Sequence, residues 1–243
     1  MVILNFVKRN FKEIIRDPLS VIFAIILPMF LLFIFQQFNI PSDSYKIENF
    51  TPGIIIFGFS FIEMFTAILV SKDRKTSFLV RLCVSPMKTT EYILGYIFSI
   101  LLLVIIQNVL FFLLSIILGL SFSINIIYAI FISLFISILF ISIGILIGSV
   151  FSDKAASGIS SIIVQLVCFT SGMYFPKELV GNLFSKICEY LPFEACVNIV
   201  KGVMQNNIRI ITLKNVIVFL MYMIIILVIS GIVFKKNMTS DER

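Results

Sequence analysis

Histidine is missing from all 243 residues. That excludes every site built on imidazole: a His-ligated zinc, a Ser-His-Asp set, a Cys-His pair. Charge is scarce as well. Only 13% of the residues are charged and 60% are hydrophobic, against about 25% and roughly 45–50% in a soluble domain. Such a chain cannot cover itself with polar surface in water, and it reads as an all-α membrane protein. The net charge of +6 gives no reason to expect nucleic acid, because Lys and Arg in a membrane protein mainly set its orientation. No G-x-x-x-x-G-K-[ST] phosphate loop occurs, and the loops are too short for a nucleotide-binding domain of about 50 residues or more. Neither an H-E-x-x-H helix nor the two buried acids of an aspartyl intramembrane protease is present. No catalytic residue and no metal site is assigned. The chain is not expected to be an enzyme, and any ATP use belongs to another chain.

What is abundant is apolar length. A spanning helix needs about 20 mostly apolar residues, and six segments meet that test: 19–38, 53–70, 92–118, 126–151, 158–175 and 216–234. The first has no short apolar core followed by a small-residue cleavage site, so it is read as a retained span. Positive residues fall before the first span (Lys8, Arg9, Lys12, Arg16), in the second connection, at Lys154 and in the tail. The first connection has only Lys46 and the third has no charge. The positive-inside rule then puts both termini in the cytoplasm, in what is expected to be a bacterial cell membrane. The connection over 176–215 carries positives but also Glu178, Glu189 and Glu194, and is read as external.

Two short stretches stand apart. In residues 1–18, Ile3, Phe6, Val7, Phe11 and Ile14 share one helical face and Asn5, Lys8, Lys12 and Arg16 the other. This predicts an interfacial helix lying apolar side down, ended at Arg16-Asp17-Pro18; a generic surface tether is the plainer alternative. The loop over 71–91, "SKDRKTSFLVRLCVSPMKTTE", gathers Lys72, Arg74, Lys75, Arg81 and Lys88. Phe78, Leu79, Leu82 and Cys83 recur at helical spacing and Ser85-Pro86 breaks the run. Two readings stay open here: a docking surface for a partner protein, and an anchor against anionic lipid. Cys188 and Cys196 share the external side, where a disulfide and two free thiols are both open.

Polar residues inside the bilayer are few. Glu63 sits mid-span, where a lone charge costs about 2.5–3.5 kcal/mol on insertion scales. It is read either as a transport-path or gating residue or as a protonated, hydrogen-bonded acid with a packing role. Gln107, Asn108 and Gln165 are its candidate hydrogen-bond partners, and are otherwise interhelical glue. Gly144-x-x-x-Gly148 predicts close helix packing within the subunit. Pro28 can kink the first span and free a backbone carbonyl.

With these residues in view, the chain resembles the ABC-2 type permeases, the membrane subunits of many ATP-driven exporters. The likeness is carried by "RDPLSVIFAIILPMFLLFIF" (16–35), by "RLCVSPMKTTEYILGY" (81–96), which is similar to the family's R-L-x-x-S-P loop, and by "SGMYFPKEL" (171–179) followed by "YLPFEACVNIVKGVM" (190–204). It covers nearly the whole chain. It implies a single permease domain over 1–243 with an interfacial helix, a cytoplasmic coupling helix and short external re-entrant helices before the last span. Arg81, Leu82 and Pro86 would contact the ATPase, with Lys72, Arg74 and Lys75 at the rim. The working unit would be two permease copies, alike or different, and two ATPase subunits holding ATP and Mg, with the first and fifth spans as the dimer interface. Export of an amphipathic, antibiotic-like or drug-like compound is the leading expectation, with polysaccharide, lipid and sodium export as alternatives. The rivals from other classes are a proton-coupled secondary transporter using Glu63, weakened by the lack of similarity between the two halves, and a non-transporting membrane subunit.

Overall fold

The computed structural model describes residues 2–38, 40–75, 89–172 and 181–240, and these form nine helices. Helix α1 is Val2–Arg16. Asp17 interrupts it, and α2 restarts at the proline as Pro18–Val21, Ile22–Ile26 and Leu27–Gln37. Then come α3 (Ile47–Lys75), α4 (Thr89–Ile117), α5 (Ile124–Val150), α6 (Asp153–Thr170), α7 (Asn182–Tyr190), α8 (Pro192–Met204) and α9 (Leu213–Ser240). Local sequence explains several of the starts. Ser123 caps α5, its hydroxyl accepting from the Asn125 amide at 3.1 Å. Pro192 opens α8 at a position that has no helical amide bond to lose.

The bundle is built around α3. Every residue from Phe50 to Glu63 on it is buried, because α2, α4, α5, α6 and α8 all pack against it. The tightest seam runs along α5. A Cβ placed on Gly148 would lie 2.5 Å from the Ala67 carbonyl oxygen and 2.7 Å from Val70 Cβ. One on Gly144 would strike the Glu63 carbonyl and Thr66. Glycine at this four-residue spacing lets the two backbones touch, which is the packing expected of the G-x-x-x-G stretch. Outward faces are apolar instead: Phe98 and Leu113 on α4, Phe131 on α5 and Ile224 on α9 are exposed, as lipid-facing helices require.

Among the described residues, four helices are long and apolar enough to cross a membrane: α3, α4 over Thr90–Ile117, α5, and α9 over Leu213–Asn237. The sequence reading expects six. In α2 the apolar helix is the shorter Ile22–Gln37. In α6 the helix begins at Asp153 and Lys154 and carries Ser157, Ser160, Ser161 and Gln165, which hold its hydropathy down. The remainder of that expected span, 173–175, lies outside the described residues.

Among the described residues two prolines sit inside helices, and each is answered the same way. Pro28 has no amide to give the Ala24 carbonyl four residues back. The helix widens there to a π turn, with the Leu27 amide bonded to Ile22, and Gln107 of α4 donates to the Ala24 oxygen at 3.0 Å. Pro52 of α3 likewise leaves the Glu48 carbonyl without its helical donor. Gln205, just past α8, donates to that oxygen at 3.1 Å and to Asn49 Oδ1 at 2.9 Å.

The amphipathic α1 departs from expectation. Its apolar face meets protein as well as whatever lies outside. Phe6 and Ile14 are buried, and Phe6 stands edge-on to Tyr92 and Tyr96 of α4, with ring centroids 5.8 and 5.0 Å apart. Gly95 makes the room, since a Cβ there would run into the Phe6 ring.

Candidate functional site

Four of the six charged residues of α3, Lys72, Asp73, Arg74 and Lys75, crowd into its last turn, immediately before residues 76–88, which lie outside the described residues. Asp73 is the anomaly. It is only 1% exposed and stands at a helix C-terminus, where the backbone dipole disfavours negative charge. Both effects oppose an ionised carboxylate, so it must be held by donors. Arg9 of α1 supplies two: Nη2 donates to Oδ1 at 2.6 Å and Nη1 to Oδ2 at 2.8 Å. This is the parallel two-bond fork that guanidinium and carboxylate favour. Tyr96 of α4 supplies the third, its hydroxyl donating to Oδ2 at 2.7 Å. Arg9 also meets Glu13 Oε2 at 2.7 Å and Asn10 Oδ1 at 2.9 Å. Burial pulls the Arg9 pKa down, but the bonds to Asp73 and the charges of Asp73 and Glu13 outweigh it, and the net shift is upward. The guanidinium therefore stays charged at every working pH.

The residues beside Asp73 reach other helices. Arg74 Nη1 donates to the Gly148 carbonyl at 3.1 Å, one of the last-turn oxygens of α5 that have no helical donor. Asn237 of α9 donates to the next, Ser149, at 2.6 Å. Lys75 faces Asp153 at the start of α6, 3.4 Å away. The Asp153 pKa is lowered, first by a backbone amide at the helix start and then by Lys75. Lys72 lines a small cavity of about 60 Å³ with Glu13, Asp17 and Phe65. The end of α3 is thus bonded to α1, α4, α5 and α6 within one turn.

The expected rim residues Lys72, Arg74 and Lys75 all stand on this turn. Arg81, Leu82 and Pro86, expected to make the contact itself, lie outside the described residues, as does Cys83. Sequence reasoning counted Arg9 only as a positive-inside charge and passed over Asp73 and Tyr96. The available signal was one acid inside the "SKDRK" run at a span's exit.

The membrane-embedded polar residues do not converge. Glu63 is fully buried, and its partner is Ser160 of α6, whose hydroxyl donates to Oε1 at 2.9 Å. The expected partners are engaged elsewhere or turned away. Gln107 serves the Ala24 carbonyl. Asn108 donates to Val104 O and accepts from Ser133 of α5, each at 3.1 Å. Gln165 is exposed on α6. A helical repeat explains the miss: Ser160 lies on the α3-facing side of α6 with Ala156, Val164 and Val167, all buried, and Gln165 falls off that stripe. Cys196 is a free, fully buried thiol on α8, so the disulfide to Cys188 is not formed. Among the described residues no group of three Cys, Asp or Glu side chains is placed to hold a metal.

Residues 2–205 match the profile of the family described as ABC-2 type transporter. The chain belongs to the ABC-2 type transporter family. As an ABC-2 transporter it is a multi-pass membrane protein and a permease subunit, a transport component rather than an ATPase, and permeases of this family work with an ATP-binding subunit. The match runs from α1 through α8 and stops before α9. No curated protein matches the ABC-2 chain.

Proposed function

We propose that this ABC-2 permease is the membrane subunit of an ABC exporter. It forms, with a second permease copy, the path for an amphipathic antibiotic-like or drug-like compound, driven by two separate ATPase subunits that hold ATP and Mg. Both termini and residues 71–91 face the cytoplasm in this reading, six segments cross the bilayer, and 176–215 is external. The observation that carries it is the root of the basic loop. Asp73, buried and forked by Arg9, ties the turn before the loop to α1 and α4, while Arg74 and Lys75 tie it to α5 and α6. A loop that only bound lipid would gain nothing from so stiff a root. A loop that takes a mechanical input from a partner needs one. Arg81, Leu82 and Pro86 are the proposed contact, with Lys72, Arg74 and Lys75 around it.

The test is co-purification of the chain with ATP-binding proteins encoded beside it, native and as the Arg81→Glu, Leu82→Glu double variant. The expected result is an ATP-hydrolysing subunit that accompanies the native chain and is lost from the variant. Equal recovery with both chains would remove the loop from the interface. Absence of any such subunit from the native preparation would sink the exporter reading. Reconstituted with its ATPase, the pair is expected to move amphipathic dyes outward and to leave sodium gradients unchanged.

A further inference from the structure

Glu63 stands at the middle of α3, ten residues and about 15 Å along the axis from Asp73. The coupling machinery at the loop does not use it. Its backbone is pressed against Gly144 of α5 and its side chain is sealed from solvent. Ser160 donates to Oε1, while Oε2 is buried with no hydrogen-bond partner among the described residues. An ionised carboxylate in this position would be a buried charge with one neutral donor and no cation, a combination costing several kcal/mol. The packed elements offer no relief. Helix α2 has no titratable side chain, and α5 has only the exposed Tyr128. Helix α4 has Glu91, Tyr92 and Tyr96 in its first turns. Helix α8 has Glu194, Cys196 and Lys201. Helix α6 has Cys168, and Asp153 and Lys154 at its start, with Asp153 seven residues and about 10 Å from Ser160.

We propose that Glu63 and Ser160 form a proton-operated latch between α3 and α6. While the helices are packed, Glu63 is the neutral acid, with Oε1 as its carbonyl oxygen accepting from Ser160 and the proton on Oε2. When α3 and α6 part and water enters, the proton leaves to solvent and the carboxylate is hydrated. Reclosure then requires that a proton be taken up again, because the packed site has no place for the charge. The latch thus favours the closed packing when protons are plentiful and the parted one when they are scarce. Any transport step that separates α3 from α6 inherits that dependence.

Two measurements test this without an ATPase partner or a substrate, so the latch and the exporter reading can fail separately. The first is infrared difference spectroscopy of the purified chain in lipid at pH 7, native against Glu63→Gln. The expected result is a carbonyl band of a buried protonated carboxyl that Glu63→Gln removes and that Ser160→Ala shifts to higher frequency. Bands of an ionised carboxylate alone, or a protonated band unmoved in Ser160→Ala, would overturn the proposal. The second is hydrogen exchange of the α3 and α6 amides between pH 6 and 9, corrected for intrinsic rates. An opening step that releases one proton rises up to about tenfold per pH unit. The rise is expected in the native chain and absent from Glu63→Gln, which keeps an acceptor for Ser160 but cannot ionise. The same slope in both would refute the latch, and Ser160→Ala supplies an independent comparison if Glu63→Gln folds poorly.

Discussion

Replacing Arg9 by Ala removes the two-bond fork on Asp73 and leaves its 1%-exposed carboxylate without that cation, with the Tyr96 hydroxyl still donating to Oδ2. Removing one partner of a buried ion pair costs about 3–5 kcal/mol, whereas exposed pairs are worth roughly 0.2–1 kcal/mol. The Arg9 side chain is 33% exposed and Tyr96 remains, so the loss should lie between these, at about 2–3 kcal/mol. For a chain of this size each kcal/mol moves Tm by roughly 2–4 °C, which gives a fall of about 4–12 °C. The chain has no Trp, so unfolding is best followed with a thiol-reactive dye as the buried Cys196 becomes accessible. Removing both charges is the decisive comparison. Arg9→Met with Asp73→Leu leaves no orphan charge and should recover at least half of the loss, since apolar replacement of a whole buried pair is often close to neutral. A Tm within 2 °C of native for Arg9→Ala, or a double variant as unstable as the sum of its single changes, would refute the account of this lock.

Gln107→Leu removes the side-chain bond to the Ala24 carbonyl and should cost about 0.5–1.5 kcal/mol. Adding Pro28→Ala restores an amide to that carbonyl and should return most of it, read from the same melts. Gly148→Ala forces α5 off the α3 backbone at Ala67 and should destabilise by about 1–3 kcal/mol, with slower migration or aggregation on size-exclusion chromatography as the second sign. Lys75→Ala, by contrast, should leave Tm within a degree or two, because the Lys75–Asp153 pair is long and its Lys is 73% exposed. Its depressed pKa makes the Asp153 contribution one that is present above the unfolded carboxylate range and lost as pH falls through the folded value. Acid titration of the native chain and of Asp153→Asn should therefore converge at low pH.

Helical class and the location of the apolar segments were legible because a bilayer enforces long apolar runs. The Gly144-x-x-x-Gly148 seam was legible for the same kind of reason: small residues at one-turn spacing have few other uses in a span. Partner identity was not. Which polar group meets Glu63 depends on the rotation of α6 about its own axis, and Ser160 and Gln165 are equally polar as letters. Arg9 and Asp73 are 64 residues apart, and one of them hides among surface charges. In α2 and α6, shortness and hydroxyl-bearing residues blur the boundary between a span and a helix held mainly by protein. Pro52 was hidden by lying just outside the expected span, so the parallel with Pro28 went unseen.

The two proline sites have a mechanical consequence. A helix held by its own ladder resists bending at every rung, because each rung is an obligatory bond. At Ala24 and at Glu48 the rung has been replaced by a side chain from a neighbouring element, Gln107 and Gln205. Each is a hinge with a removable pin. Withdrawing a pin costs one neutral hydrogen bond, about 0.5–1.5 kcal/mol net, and leaves every other rung in place. The pins belong to α4 and to the end of α8, so α2 and α3 can flex only when those neighbours shift, and the bundle's freedom to bend is set by its packing partners rather than by the helices that bend.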